Sequence, residues 1–167
     1  GTLAYAQRFD TKGEAMRREA GLKRLPKADK EALAARWLAD NTATLRAAGP
    51  QDAAAVNELY CWYVRHSTAT FQYGCPTVAE TRAEIETVWQ RAPFLAAVGG
   101  DGHLMGYACA HPWHTREAYA WDVELTVYCA PDAVGRGVGR RVYNALWDIL
   151  EAQGYCNGLG PVGRANP

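Results

Sequence analysis

The chain has 167 residues, a formal net charge of zero, 49% hydrophobic residues and 22% charged residues. This balance is typical of a globular protein and gives no electrostatic reason to expect nucleic acid or an acidic membrane surface as a partner. No apolar run approaches the ~20 residues that a membrane-spanning helix needs, and the N-terminus has no secretory signal pattern. We therefore expect a cytoplasmic protein without a membrane partner.

The cysteines and histidines give no sign of a metal site. The five cysteines are scattered and include no C-x-x-C pair, which argues against a disulfide framework or a zinc site and fits a reducing compartment. His111 and His114 form an H-x-x-H pair, but no third ligand lies near them in the sequence. We expect no bound metal.

The first 42 residues differ in composition from the rest of the chain. They are rich in Lys, Arg, Glu and Ala, and Pro26 interrupts them. A weak apolar stripe at helical spacing consists of Leu33, Ala34, Trp37 and Leu38. We predict one or two accessory helices, or a linker, over residues 1–42, and one folded domain over residues 43–167.

The folded part begins with a predicted strand over residues 43–48 and two helices. Gly49-Pro50 begins the first helix, because proline is favoured at the first helical position. The second helix begins at Thr77, where Glu80 three residues later has capping-box spacing. The apolar face of the first helix consists of Val56, Leu59, Tyr60, Tyr63 and Val64.

Three predicted strands follow. Residues 94–98 and 104–110 are apolar runs joined by a glycine-rich hairpin turn. Residues 119–130 alternate, with Tyr119 and Trp121 beginning an apolar row and Glu124 in the polar row.

A last helix is predicted from about 136 to 153, with Gly154 as its stop. Its inward residues are Val138, Val142, Leu146, Ile149 and Leu150. A glycine-rich tail over 155–167 has one weak strand. This order predicts an α/β (α+β) domain with a mixed, mainly antiparallel sheet flanked by helices.

A glycine loop lies between the third of these strands and the last helix. Gly135, Gly137 and Gly139 alternate, and such a loop at a helix N-terminus can turn several backbone N–H groups toward a phosphate. The alternative is a tight turn and helix start. Arg140 stands where a dinucleotide fingerprint needs its third glycine, and no Gly-Lys-Ser/Thr occurs. The arginines beside the loop suit a polyanion such as the pyrophosphate of coenzyme A.

Glu124 is the candidate general base. On the polar face of its strand, aromatic neighbours such as Tyr119 and Trp121 would partly exclude water from its carboxylate, which suits a base. The alternative is a carboxylate that simply faces solvent. We place His111, His114 and Arg116 in the loop before this strand, and each alone is more typical of a surface.

Several stretches in the same order resemble the GCN5-related N-acetyltransferase (GNAT) superfamily, and within it the phosphinothricin acetyltransferase group. They are Phe94-Leu-Ala-Ala, Pro112-Trp113, Arg116-Glu-Ala-Tyr-Ala-Trp121, Glu124-Leu-Thr-Val-Tyr128, Val134-Gly-Arg-Gly-Val-Gly139 and Glu151-Ala-Gln-Gly-Tyr155. The resemblance covers about residues 43–167 and implies the GNAT acyl-CoA N-acyltransferase fold. The loop departs from the family motif, because Val134 replaces the usual Gln or Arg.

The resemblance also implies roles for individual residues. Glu124 corresponds to the proposed general base. The cosubstrate acetyl-CoA would be held by the strand residues Val127, Tyr128 and Cys129 and by the loop residues Gly135, Arg136, Gly137, Val138, Gly139 and Arg140, together with Asn166. The amine substrate would lie near Phe71, Arg116 and Tyr119.

Two departures from the family affect these expectations. The Arg or Glu usual after the phenylalanine is absent from the loop Phe71-Gln-Tyr-Gly-Cys-Pro76, which leaves substrate choice open. After Asn166 the family continues with a helix and two strands, so we expect a domain whose C-terminal part is missing.

The predicted activity is transfer of an acetyl group from acetyl-CoA to the primary amine of a small amino-acid-like substrate of the phosphinothricin or methionine sulfone/sulfoximine type. Two alternatives stay open: a non-catalytic acyl-CoA-binding module, and a protein or peptide N-terminal acetyltransferase. Because family members are often dimers, we also expect a homodimer.

Overall fold

A computed structural model of the chain describes residues 9–41 and 43–160, with the side chains of residues 35–41 outside the description. The helices are α1 (Lys12–Arg24), α2 (Lys27–Asn41), α3 (Ala53–His66), α4 (Val78–Val88) and α5 (Val138–Ala152). The strands are β1 (Thr44–Ala47), β2 (Phe94–Val98), β3 (Leu104–Pro112), β4 (Asp122–Cys129) and β5 (Asn157–Leu159). Within the described ranges, no helix has the length and apolarity needed to cross a bilayer.

The five strands form one sheet in the order β1-β2-β3-β4-β5. The first four strands pair antiparallel, and β5 joins β4 in parallel. The turn between β2 and β3 uses Gly102, whose φ of 85° is in the left-handed region that favours glycine. The prediction of a mixed, mainly antiparallel sheet flanked by helices is confirmed.

Two accessory helices occupy most of the N-terminal segment, and α1 begins with a capping box between Thr11 and Glu14. Of the predicted apolar stripe, Leu33 and Ala34 are partly buried, whereas the side chains of Trp37 and Leu38 lie outside the described residues. The boundary between an N-terminal extension and the folded domain after residue 42 stays a prediction.

Polar contacts fix α3 and α4 relative to the sheet. The Arg46 guanidinium of β1 donates to both carboxylate oxygens of Asp52, each at 2.7 Å, and the Gly49 N–H donates to the same carboxylate. The side-chain amide of Asn57 on α3 donates to the Pro76 carbonyl at 2.7 Å and to the Thr81 hydroxyl of α4 at 3.0 Å. These bonds hold the two helices as one unit.

Helices α3 and α5 cover opposite faces of the sheet. On β4, the Tyr128 ring contacts Tyr60 and Tyr63 of α3. The adjacent Cys129 faces α5, because its Sγ would lie 3.1 Å from a Cβ built at Gly139. Because neighbouring side chains on a strand point to opposite faces of the sheet, Tyr128 and Cys129 show that α3 and α5 lie on opposite faces.

Helix α5 buries one face as predicted, with one exception. Its fully buried residues are Val138, Val142, Leu146 and Leu150. Ile149, predicted to point inward, is 38% exposed because it lies at the border between the apolar face of the helix and its solvent-exposed face. Gly154 follows the helix with a φ of 91°, as expected of its stop signal.

The strand boundaries on either side of His114 differ from prediction. Strand β3 continues to Pro112, so His111 lies in a strand and not in a loop, because the β3–β4 ladder extends to Pro112 and Val123. Strand β4 begins only at Asp122, because residues Glu117–Tyr119 form a short 3₁₀ turn. Trp121 packs against Tyr155 and Gly154 instead of lying beside Glu124.

The weakly predicted last strand forms because a glycine allows it to approach the core. A Cβ at Gly158 would lie 2.6 Å from the Trp147 ring and 2.7 Å from Leu125 Cδ1. Any larger residue would push β5 away from β4 at the point where Gly158 pairs with Val123. Glycine has a low propensity for strands, so Gly158 makes the segment a poor strand by sequence. Because Gly158 has no side chain, however, β5 can come close enough to pair with β4.

Replacing Gly158 with valine is therefore expected to destabilise the protein by about 1–3 kcal/mol through overpacking against Trp147 and Leu125. Urea unfolding followed by tryptophan fluorescence measures this. Gly160→Ala is the matched control, because a Cβ there meets nothing within 4 Å. Equal stability of both variants would show that β5 does not pack as described.

Candidate active site

A cleft of about 710 Å³ lies between the α3–α4 unit and the face of β3 and β4. The residues that line it come from α3, the loop that follows it, α4 and the two central strands. Those with ionisable side chains are Tyr60, Tyr63, Glu84, Tyr107, Cys109, His111, Glu124 and Tyr128. The cleft thus combines two carboxylates and an imidazole with an aromatic wall.

Glu124, the predicted base, does line this cleft and is half-buried on β4. Its register partner across the β3–β4 ladder is His111. The His111 Nε2 lies 3.6 Å from Glu84 Oε1 of α4. Two strands and one helix therefore place Glu124 in the same cleft as the His111–Glu84 pair.

Cys109 lies one step further into the same face of β3. Its Sγ is 3.5 Å from His111 Nε2. Burial raises the pKa of this thiol strongly, and the charges of Glu84 and Glu124 raise it further. A cysteine beside a histidine can suggest a nucleophile, but here the thiol stays protonated and is unsuited to that role.

Four tyrosines form the inner wall. Tyr128 contacts the rings of Tyr60, Tyr63 and Tyr107 at centroid distances of 4.8 to 5.5 Å. Burial raises the pKa of Tyr128 to about 12 and that of Tyr107 well above its usual value. The Tyr63 hydroxyl donates to the Cys129 carbonyl at 2.7 Å. The phenols of Tyr63, Tyr107 and Tyr128 therefore keep their protons.

Along the outer edge of β4, the pairing with β5 ends at Glu124. Strand β5 pairs with Asp122, Val123 and Glu124, and within the described residues this pairing stops there. The backbone of the next residues of β4, Leu125 to Cys129, is then available on that edge to an extended ligand, as in strand addition. The predicted cosubstrate residues Val127, Tyr128 and Cys129 lie in this stretch.

The glycine loop leads directly from this edge to α5. Gly135 and Gly137 have φ values of 81° and 77°, and a Cβ at either would meet nothing within 4 Å. Backbone conformation, not crowding, requires glycine at both positions. Gly139 has another reason, since its Cβ would contact Cys129 Sγ at 3.1 Å.

The rest of the loop offers backbone and charge. The first-turn N–H groups of α5 have no acceptor within the helix and lie at its positive end. Val138 is buried, so only its backbone N–H could contribute, whereas Arg136 and Arg140 are exposed. The arrangement can hold an anionic group at one end of the β4 edge.

The structure places the three predicted substrate residues differently. Phe71 lines the cleft and is 74% exposed. Arg116 and Tyr119 are not among the lining residues, and Tyr119 contacts the His114 ring at 5.2 Å instead. Their proposed role remains a prediction. Asn166 lies outside the described residues.

Sequence reasoning missed His111 and Glu84. The sequence interpretation places His111 in a loop, where a surface position is more typical, and it gives Glu84 no role. A detectable signal was the alternation that extends β3 through Ala110 to His111, which puts the imidazole on the same face as Cys109. Groups of three metal-binding side chains are absent from the described ranges.

Comparison with known proteins gives a consistent result. The model of the acetyltransferase (GNAT) family matches residues 56–161. A phosphinothricin N-acetyltransferase of Alcaligenes faecalis is 40% identical over 110 residues, which are 65% of this chain and 55% of that protein. An L-methionine sulfoximine/L-methionine sulfone acetyltransferase of Pseudomonas aeruginosa is 31% identical over 68% of this chain and 66% of its own length.

A solved structure is similar as well. The phosphinothricin acetyltransferase from Sinorhizobium meliloti in complex with AcCoA has a TM-score of 0.70 and 31% identity, covering 73% of this chain and 66% of that one. The chain spans between about half and two thirds of the length of the curated relatives it matches.

The cysteines provide a test of the cleft. At about pH 8, where an ordinary thiol reacts readily, iodoacetamide should modify exposed Cys75 and Cys156 and spare Cys109 and Cys61, because burial raises the pKa of both spared thiols. Peptide mass spectrometry measures the labelling, and unfolding in urea should make all sites react. Fast labelling of Cys109 in the folded protein would contradict the described cleft.

Proposed function

The chain belongs to the acetyltransferase (GNAT) family, and from this we propose that it transfers an acetyl group from acetyl-CoA to the primary amine of a small amino-acid-like substrate. The observation that carries the proposal is the position of Glu124. It lies in the cleft at the point where β5 stops pairing with β4. A thioester held along that edge and an amine in the cleft would meet at this carboxylate.

The described residues suit acetyl-CoA. The free edge of β4 offers Val127 and Cys129 backbone groups to the amides of an extended pantetheine arm. The glycine loop and the first turn of α5 offer N–H donors to a pyrophosphate. Arg136 and Arg140 are exposed beside it and add positive charge. The relative from S. meliloti was solved in complex with AcCoA, which supports this choice.

The size of the cleft supports a small acceptor. About 710 Å³ is in the range of small-molecule sites. The relatives named for phosphinothricin and for methionine sulfoximine or sulfone suggest the α-amine of an amino-acid-like compound. We expect Arg116 to hold the carboxylate of such a substrate, with Tyr119 and Phe71 beside it. A homodimer and a cytoplasmic location remain expectations.

The proposed chemistry is direct transfer in a ternary complex. Binding both substrates together makes the attack effectively intramolecular. Glu124 takes a proton from the ammonium, and the free amine attacks the thioester carbonyl. A backbone N–H near Val127 or Tyr128 would stabilise the oxyanion. The protonated thiol of Cys109 has no role as an acyl carrier in this scheme.

The experiment that tests the proposal is thiol release from acetyl-CoA with a panel of amines. Phosphinothricin, methionine sulfone, methionine sulfoximine, ordinary amino acids and short peptides should be compared. Release with one or two amino-acid-like compounds is expected. Release only with peptides would favour a peptide N-terminal acetyltransferase. Saturable acetyl-CoA binding without any release would favour a non-catalytic binding module.

Replacing Glu124 with glutamine should lower kcat by about 10²-fold or more, because the amide cannot accept the ammonium proton. The Kd for acetyl-CoA should change little, since the backbone edge is intact. A thiol-release assay measures kcat, and calorimetry measures the Kd for acetyl-CoA. Glu117→Gln, an exposed carboxylate on the turn before β4, is the control. Unchanged turnover near neutral pH would reject the general base.

Replacing Gly137 with alanine should weaken acetyl-CoA binding. The left-handed backbone at this position costs a residue with a Cβ about 1–2 kcal/mol, so the loop would shift and misalign its N–H groups. Calorimetric Kd measurements check this, with Gly21→Ala as a glycine control in α1. Equal affinity of the two variants would show that the loop does not hold the cosubstrate.

A further inference from the structure

His111 contacts one carboxylate, that of Glu84, and is paired in register with a second, that of Glu124. Glu84 is 51% exposed, whereas His111 is 33% exposed. Glu124 is half-buried and lies directly opposite His111 on the neighbouring strand. Residues paired in this way have Cβ atoms about 5 Å apart and side chains on the same face. The three groups therefore line one cleft, and of the His111–Glu84 pair the carboxylate is the more exposed.

The contacts of the imidazole suit a group that passes protons. Its Nε2 faces Glu84 at 3.6 Å and the Cys109 thiol at 3.5 Å. Its Nδ1 has no hydrogen-bonding partner among the described residues. An imidazole can therefore accept a proton at Nδ1 and release one from Nε2 toward Glu84.

The surroundings limit which groups take part. Cys109 and Tyr107, both on β3, keep their protons because burial raises the pKa of each. From α4, Glu84 contacts the imidazole, and from β4, Glu124 is its register partner in the same cleft. Of the described residues that line the cleft, none is Lys or Arg. The exchangeable protons at this point belong to Glu84, His111 and Glu124.

The proposed reaction creates a need for such a path. An ammonium substrate loses two protons on becoming an amide, while the departing thiolate takes up only one, so each turnover releases one proton. A half-buried carboxylate that has taken a proton must lose it before the next cycle. The acetyl transfer step itself does not remove this proton from the carboxylate.

We propose that His111 relays the proton from Glu124 to Glu84 and so to solvent. This inference rests on the proposed acetyl transfer. The ammonium N–H bond breaks as an O–H bond forms on Glu124. That O–H bond breaks as a water between the two side chains accepts its proton and gives one of its own to the imidazole at Nδ1, and the Nε2–H bond breaks as Glu84 or its water accepts the proton. No oxidant or reductant is involved. His111 acts through Glu124 and is a positioning and relay residue.

The first test replaces His111 with glutamine, whose amide can still donate a hydrogen bond to Glu84 but cannot relay a proton. We expect kcat to fall about 10-fold, with an unchanged KM for acetyl-CoA. The fall should lessen as the buffer concentration rises, because buffer replaces the relay. His103→Gln is the matched control. His103 also pairs with a carboxylate, since its Nε2 lies 3.8 Å from Asp132 Oδ1, but this pair is not part of the cleft.

The second test replaces His111 with alanine and adds imidazole to the assay. Restoration of kcat by several-fold, together with a change in the pH profile, supports the relay. A purely structural role, in which His111 only ties α4 to β3, predicts a loss that neither imidazole nor buffer restores. That result, or an H111Q variant with the kcat of the unmodified protein, overturns the relay alone. Absence of thiol release by the unmodified protein overturns the proposed function and the relay with it.

Discussion

The antiparallel pairing of β3 with β4 determines where the groups of the cleft lie. The ladder runs from Gly106 opposite Cys129 to Pro112 opposite Val123. At its start a Cβ on Gly106 would lie 2.8 Å from the Tyr128 carbonyl, so only glycine permits this approach. A slip of one residue would turn Glu124 and Tyr128 to the other face. The burial of Val123 and Leu125 under α5 prevents that slip.

From this register the two halves of the site follow. On one face, the α3–α4 unit closes over the polar row of β4 and forms the cleft. On the edge, the pairing of β5 ends at Glu124, and among the described residues no strand pairs there with the next residues of β4. The glycine loop then begins within a few residues of Cys129. One strand thus connects the glycine loop, an open edge and a carboxylate, an order that suits the proposed binding of a coenzyme A thioester.

Much of this could be predicted from local sequence signals. The capping box at Thr77 is present, the apolar stripe of α5 is correct at Val142 and Leu146, and the alternation around Glu124 gives the right face. These features depend on neighbours within a few residues. The resemblance to the GNAT family extended them to a fold, which the family match and the structure confirm.

What could not be predicted depends on contacts between distant segments. The sequence interpretation puts Trp121 beside Glu124, yet Trp121 packs on Tyr155 because the chain turns at Glu117–Tyr119. The contact of Glu84 with His111 requires α4 to pack on β3, which the sequence spacing does not predict.

The most direct test of the central claim uses acetyl-CoA labelled in its acetyl group with an accepted amino acid, followed by mass spectrometry. Direct transfer predicts label on the amine product and none on the protein. Label retained on a cysteine of the protein, or none on the amine, would contradict it.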